Sequence, residues 1–212
     1  MNNNSVSEKN NILTRIANHL IINASYTKDL GLYHGKMGIV IFFAHYSRYT
    51  GETLYDDFAG KLMGEIVEEI HSDIPLSFER GLCGIGWGVE YLFRNGFMEG
   101  DSDDILSEID KVIMEKNLER MSDMSVSTGL EGIAYYIAKR LESSENKKTK
   151  PFDIAFSESY TNAFRKLKKT LPDETEIIST IYEKQPEGED IIKWQYGMEN
   201  GCAGYGLKII LG

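Results

Sequence analysis

Residues 31–38 read GLYHGKMG, and the apolar run IVIFFAHY follows them directly. The same order of a glycine motif and an apolar run recurs at residues 81–84 (GLCG), 129–132 (GLEG) and 201–204 (GCAG). The second glycines of the four motifs, beginning with Gly35, are separated by 49, 48 and 72 residues. A period near 48 residues is typical of a repeated helix-turn-helix unit, and the longer third interval indicates an insertion.

Four segments beside the glycine motifs have apolar residues every three or four positions. They are residues 8–23, 52–71, 103–118 and 152–169. This spacing matches the helical period of 3.6, and the opposite faces are charged, so we predict half-exposed outer helices. The runs after the glycine motifs are apolar on nearly every side, which predicts buried inner helices. Stacked outer and inner helices predict an all-α fold, with residues 1–212 as a single domain of helical hairpins.

Composition and charge narrow the classes of partner. The net charge is −10 over 212 residues, and an acidic chain repels phosphate backbones, so we expect no nucleic-acid partner. There is no apolar run of about 18 residues and no signal-peptide pattern at the N-terminus, so we expect no membrane partner. Two cysteines, Cys83 and Cys202, fit a reducing compartment better than a disulfide framework. We therefore expect a cytoplasmic protein.

The glycine motifs have a physical meaning of their own. Glycine lets two backbones approach closely, so each motif could turn sharply beside its neighbours. Helix N-termini also present free N–H groups and the positive end of the helix dipole. Four such ends on one side would form a pocket for a polar or anionic group. The alternative is that these glycines serve packing alone.

The pattern Gly-Leu-x-x-Gly-x-x-Gly resembles the signature of the lanthionine synthetase C-like (LanC-like) family. Residues 31–38 match it in full, residues 81–88 (GLCGIGWG) in a shortened form, and the other two motifs are shorter still. The resemblance covers essentially the whole chain as repeats, and it implies an α/α-toroid whose inner helices surround a central site. Full-length members have seven hairpins, whereas this chain has room for about four. The resemblance therefore implies a partial or short toroid-like array, or one completed by a homo-oligomer.

The resemblance also implies a possible zinc site. Cyclases of the family hold zinc through two Cys and one His, and the metal activates a cysteine thiolate of the substrate peptide. The corresponding candidates here are His34, Cys83 and Cys202. The family's ligand motifs are Cys-x-Gly and Cys-His-Gly, but Ala203 and Tyr33 stand where the motifs have His and Cys, and Cys83 is shifted by one position. We therefore expect no cofactor, with zinc on rearranged ligands as the alternative.

Polar and aromatic residues flank the motifs. If the loops converge, Glu79, Glu131 and Glu199 could form an acidic site, as in glycosidases built on hairpin toroids. The same carboxylates could instead stabilise helix N-termini without any catalysis. The catalytic candidates are His34, Glu79 and Glu131. The candidates for substrate binding are Tyr33, Arg80, Trp87, Trp194, Tyr196 and Glu199.

Three functions remain open at this level. The favoured one is a LanC-like protein without an intact zinc triad, which binds a peptide or protein partner during maturation of a peptide natural product. The second is a zinc-dependent peptide cyclase with rearranged ligands. The third is a carbohydrate-active α/α-toroid. The residues do not decide whether the chain is an enzyme.

Overall fold

The computed structural model describes residues 3–145, 147–168, 170–188 and 190–212. Apart from an isolated bridge between Gln195 and Gly201, the regular secondary structure of these residues is helical, which confirms the predicted all-α class. The α-helices are α1 Asn3–Asn23, α2 Lys36–Thr50, α3 Thr53–Glu69, α4 Leu82–Arg94, α5 Asp103–Met114, α6 Leu130–Ser143, α7 Ile154–Phe164, α8 Glu174–Glu183 and α9 Cys202–Leu211. Their order is consistent with the expected α/α-toroid-like array of hairpins.

The described helices fall into two compact units. Unit 1 comprises Met1–Glu68 and Asp173–Gly212, and in it α9 packs against α1, α2 and α8. Unit 2 comprises Glu69–Pro172, and in it α6 packs against α4 and α7 while α5 packs against α4. The description as one domain over residues 1–212 stays a prediction. In the part of the chain described, no helix is long and apolar enough to cross a membrane.

The inner helices α2, α4, α6 and α9 begin in the same way. Each has a glycine as its N-cap, and its first residue donates its N–H to the carbonyl seven residues earlier, over 2.8–2.9 Å. A β-carbon on any of these glycines would come within 1.9–2.5 Å of a backbone oxygen. Glycine is required there because the loop folds back onto the helix start. The N-caps are Gly35, Gly81, Gly129 and Gly201.

This shared N-cap corrects the register of the first repeat. In the sequence, Gly35 was aligned with Gly84 because both are the second glycine of their motif. In the structure Gly35 corresponds to Gly81, and the counterpart of Gly84 is Gly38, so the first spacing is 46 residues and not 49. The reason is that Gly31 belongs to the preceding turn, where its N–H donates to Oδ1 of Asp29 at 2.8 Å.

Burial separates inner from outer helices as expected. Every residue of α2 from Lys36 to Ala44 is buried, and so is every residue of α4 from Leu82 to Leu92. On the predicted apolar face of α1, Leu13, Ile16, Ala17 and Leu20 are buried, and Ile12 is half-buried. The spacing in residues 52–71 also places Leu54 on the apolar face of α3, and this prediction was wrong, because Leu54 lies in the first turn of the helix and is 62% exposed. Residue 169, the last of the predicted fourth outer helix, lies outside the described residues.

A charged cluster lies inside unit 2, towards the C-terminal ends of α4 and α6. Arg140 is 1% exposed, and its guanidinium donates to Glu90 at 2.9 Å, Asp110 at 3.0 Å and Asp103 at 2.6 Å. The hydroxyl of Tyr136 donates to the second oxygen of Asp110 at 2.6 Å. The cluster therefore links α4, α5 and α6 through one cation.

Candidate functional site

The loops before the inner helices associate in pairs with one common geometry. In unit 1, the amides of Glu199 and the residue before it donate to the carbonyl of Tyr33, at 3.0 and 2.7 Å. In unit 2, the amides of Glu79 and the residue before it donate to the carbonyl of Ser127, at 3.1 and 2.9 Å. The loop of the fourth motif therefore donates to the loop of the first, and the loop of the second motif donates in the same way to the loop of the third. Glu199 and Glu79 occupy equivalent positions.

Glycine at residue 197 makes the pairing in unit 1 possible. A β-carbon on Gly197 would lie 2.3 Å from the carbonyl oxygen of Tyr33 and 2.4 Å from Cα of His34. Gly197 was not among the sequence-based candidates, although the segment WQYGMENG carries a glycine before the one that caps α9. An extra glycine before a helix-capping glycine was the signal available for this close approach.

In unit 1, the paired loops bring together two of the predicted site residues. Nε2 of His34 lies 3.4 Å from Oε2 of Glu199, and Oε1 of Glu199 lies 2.5 Å from Nζ of Lys184. The side chains of His34 and Glu199 are 14% and 15% exposed, whereas Lys184 is 65% exposed. This group can both donate and accept hydrogen bonds at the surface of the loop. Lys184 was not among the sequence-based candidates.

In unit 2, the equivalent position of His34 is taken by Thr128. Its hydroxyl donates to Asp123 at 2.6 Å, and the pKa of Asp123 is lowered by this bond and by the backbone N–H of Ser125. Glu79 pairs with Nε of Arg80 at 3.2 Å. Polar side chains therefore flank the paired loops in both units. Of the two equivalent positions, the one in unit 1 carries an imidazole and the one in unit 2 carries a hydroxyl.

The carboxylates predicted to form an acidic site lie in different elements. Glu131 is the second residue of α6, is 6% exposed and accepts a hydrogen bond from the hydroxyl of Tyr135 at 2.8 Å. Glu79 lies in the loop before α4 and belongs to the same unit, while Glu199 belongs to unit 1. The catalytic roles of these residues stay predictions.

Both cysteine thiols are buried at helix starts. Cys202 is the first residue of α9, and Sγ lies 3.9 Å from the carbonyl oxygen of Ile191. Burial raises the pKa of Cys202 to about 12, and burial also raises the pKa of Cys83, the second residue of α4. Metals bind the thiolate, whereas burial favours the neutral thiol, so these surroundings oppose metal binding by either cysteine.

The three zinc candidates occupy three different positions relative to their helices. His34 precedes the N-cap, Cys202 is the first helical residue and Cys83 is the second. Among the residues that the structure describes, no group of three or more His, Cys, Asp or Glu side chains could hold a metal ion. The expectation of no cofactor and the zinc alternative both stay predictions.

The aromatic candidates differ in accessibility. Trp87 is 1% exposed and stacks on Tyr91, with 5.5 Å between ring centroids. Trp194 is half-buried, and its Nε1–H donates to the carbonyl of Gly188 at 3.1 Å. Tyr196 is half-buried too, and its ring lies 5.4 Å from that of His19. Their roles in substrate binding stay predictions.

Comparison with known proteins identifies a family. A family model described as "Lanthionine synthetase C-like protein" matches residues 26–176, which is more than half of the chain. The match includes the first three glycine motifs, and the fourth motif follows it. Comparisons with curated proteins and with solved structures gave no match.

Proposed function

Because this chain belongs to the lanthionine synthetase C-like family, we propose that it binds a peptide or protein partner through its paired glycine loops. The observation that carries the proposal is the repeated pairing geometry, which holds Glu199 and Glu79 at equivalent positions next to an inner-helix start. A rigid loop that presents a carboxylate is a suitable contact for a peptide, because little conformational entropy is lost when the peptide binds.

The ion pairs of the two glutamates support the proposal that a partner's basic side chain contacts them. Glu199 pairs with Lys184 and Glu79 with Arg80, and these cations are 65% and 56% exposed. The glutamates themselves are 15% and 25% exposed. A basic side chain of a partner can therefore compete with either exposed cation for its glutamate. His34 adds a group that hydrogen-bonds peptide amides or carbonyls.

The family's description supports a precursor peptide of a peptide natural product as the partner. The two buried thiols, both with raised pKa values, favour binding over thiolate chemistry at these positions. We propose a role in which the chain holds the peptide while other proteins of the maturation pathway act on it.

A selection experiment tests the proposal. A random peptide library displayed on phage is selected against the wild-type chain, and the Kd of enriched peptides is measured by fluorescence anisotropy. The double variant Glu79→Gln/Glu199→Gln should weaken binding at least tenfold. The control is Glu108→Gln, an exposed carboxylate on α5 that pairs with Lys111, and it should leave the Kd unchanged. Equal Kd values for the double variant and the wild type would contradict the proposal.

A further inference from the structure

A second surface feature lies at the other end of α2, away from the glycine loops. The last turn of α2, the start of α3 and the middle of α1 enclose a groove of about 690 Å³. Three tyrosines line it, Tyr46, Tyr49 and Tyr55, together with Glu52 and Asn10. None of these residues belongs to the paired loops, so the groove is independent of the function proposed above.

The tyrosines form a packed group with one open ring. Tyr46 is 3% exposed, and its ring centroid lies 4.5 Å from that of Tyr55 and 6.4 Å from that of Tyr49. Tyr49 is 46% exposed, and its hydroxyl donates to Oδ1 of Asn10 on α1 at 2.8 Å. The ring of Tyr49 is thus held in position while nearly half of its surface remains accessible.

The polar groups of the groove suit a cation with several N–H donors. Glu52 is the one charged residue among the described residues that line it, and the others, apart from Leu13, offer hydroxyl or amide oxygens. Glu52 is fixed by the turn after α2, where its N–H donates to Oγ1 of Thr50 and its carbonyl accepts from Ser47. A guanidinium is planar, carries five N–H donors and no acceptor, and stacks on aromatic faces.

From this combination we propose that the groove binds the guanidinium group of an arginine side chain presented by a peptide. The plane of the guanidinium stacks on Tyr49, and its N–H groups donate to the carboxylate of Glu52 and to hydroxyl oxygens of the groove. Such a cation–π contact is stronger for arginine than for the compact, strongly hydrated ammonium of lysine. The net charge of −10 adds a general attraction that salt screens.

The probes are three tripeptides that differ at one position. They are N-acetyl-Gly-Arg-Gly-amide, its lysine analogue of equal charge, and its citrulline analogue of equal shape without charge. Binding to the full chain is followed by ¹H–¹⁵N chemical shifts. We expect the arginine peptide to bind about tenfold more tightly than the citrulline peptide and several-fold more tightly than the lysine peptide.

Two variants locate the site. Tyr49→Leu and Glu52→Gln should each weaken the arginine peptide about fivefold to tenfold, and both positions are exposed enough for the fold to persist. The matched control is Tyr26→Leu, because Tyr26 is 84% exposed in the same unit but outside the groove, and it should leave affinity unchanged. The proposal is overturned if the arginine and lysine peptides bind equally, or if Tyr49→Leu binds as the wild type does.

Discussion

The ring of Phe42 on α2 lies directly against Gly206 on α9, where a β-carbon would come within 2.3 Å of Cε2. Unit 2 repeats this contact, since a β-carbon on Gly86 of α4 would come within 2.4 Å of Cε2 of Tyr136 on α6. Glycine is therefore required inside these helices as well as at their N-caps. In each unit, two inner helices pack closely enough that an aromatic ring occupies the space of a missing side chain.

The first prediction concerns this packing. Gly206→Ala should lower the free energy of unfolding by about 1–3 kcal/mol, because Phe42 is fully buried and its ring cannot move aside without disturbing its neighbours. Urea unfolding followed by circular dichroism measures the change. In a Phe42→Leu background, Gly206→Ala should lower the free energy of unfolding by less, because the aromatic ring that the new methyl group would meet is absent.

A control for this substitution exists on α3. Gly64 is exposed, and a β-carbon there would meet nothing within 4 Å. Gly64→Ala should raise the free energy of unfolding by up to about 1 kcal/mol, because alanine favours the helix. If Gly206→Ala stabilises the protein as Gly64→Ala does, the close contact with Phe42 is not present in solution.

The second prediction concerns the buried cation of unit 2. Arg140→Met removes the partner shared by Glu90, Asp103 and Asp110, and leaves the buried carboxylates of Glu90 and Asp110 without the guanidinium that balances them. We expect a loss of about 3–5 kcal/mol in the free energy of unfolding. Arg94→Met is the control, because Arg94 is 33% exposed and pairs with the exposed Glu142, so it should cost less than about 1 kcal/mol. Similar losses for both variants would contradict the role given to the cluster.

The third prediction is a pH dependence. Burial raises the pKa of Asp110 to about 6, against the lowering effect of Tyr136 and Arg140. Between about pH 4 and pH 6, the carboxyl of Asp110 is therefore protonated in the folded state and ionised in the unfolded state, where its pKa is near 3.9. The resulting stabilisation is present below pH 4 and is lost as the pH rises through about 6.

A single variant separates this effect from other titrations. Between pH 7 and pH 4.5, the wild type should gain about 2 kcal/mol of stability relative to Asp110→Asn. Urea unfolding at both pH values gives the difference. A difference between the two proteins that does not change with pH would show that Asp110 titrates as an ordinary carboxyl.

The sequence predicted the inner helices because each starts with glycine and continues with apolar residues on every side. It misjudged the register of the first repeat, because Gly31-Leu32 matches Gly81-Leu82 as a string. The register is set by the turn that folds back onto each helix start, and a comparison of residue letters does not reveal that contact. The pairing of His34 with Glu199 joins residues 165 positions apart, and no local pattern links them.

The Arg140 cluster was missed although the sequence carried a signal for it. Glu90 interrupts the apolar run IGWGVEYLF, and Arg140 follows the run IAYYIAK. Charged residues within the buried stretch of an inner helix must find partners, since an unpaired buried charge is strongly unfavourable. Such residues could have been predicted to pair with one another, but the choice of Asp110 on α5 depends on how the helices cross.

The last prediction concerns the two cysteines and zinc. Because both thiols are buried and have raised pKa values, native protein should react with iodoacetamide at pH 8 at less than about a tenth of the rate of the unfolded chain. The rate should also stay low up to pH 9, where an exposed thiol with a pKa near 8.5 is largely ionised. Elemental analysis after dialysis against zinc should find no stoichiometric metal. One zinc per chain that is lost in Cys202→Ala would contradict this prediction and favour a cyclase with rearranged ligands, since a bound cation would hold the thiol as thiolate.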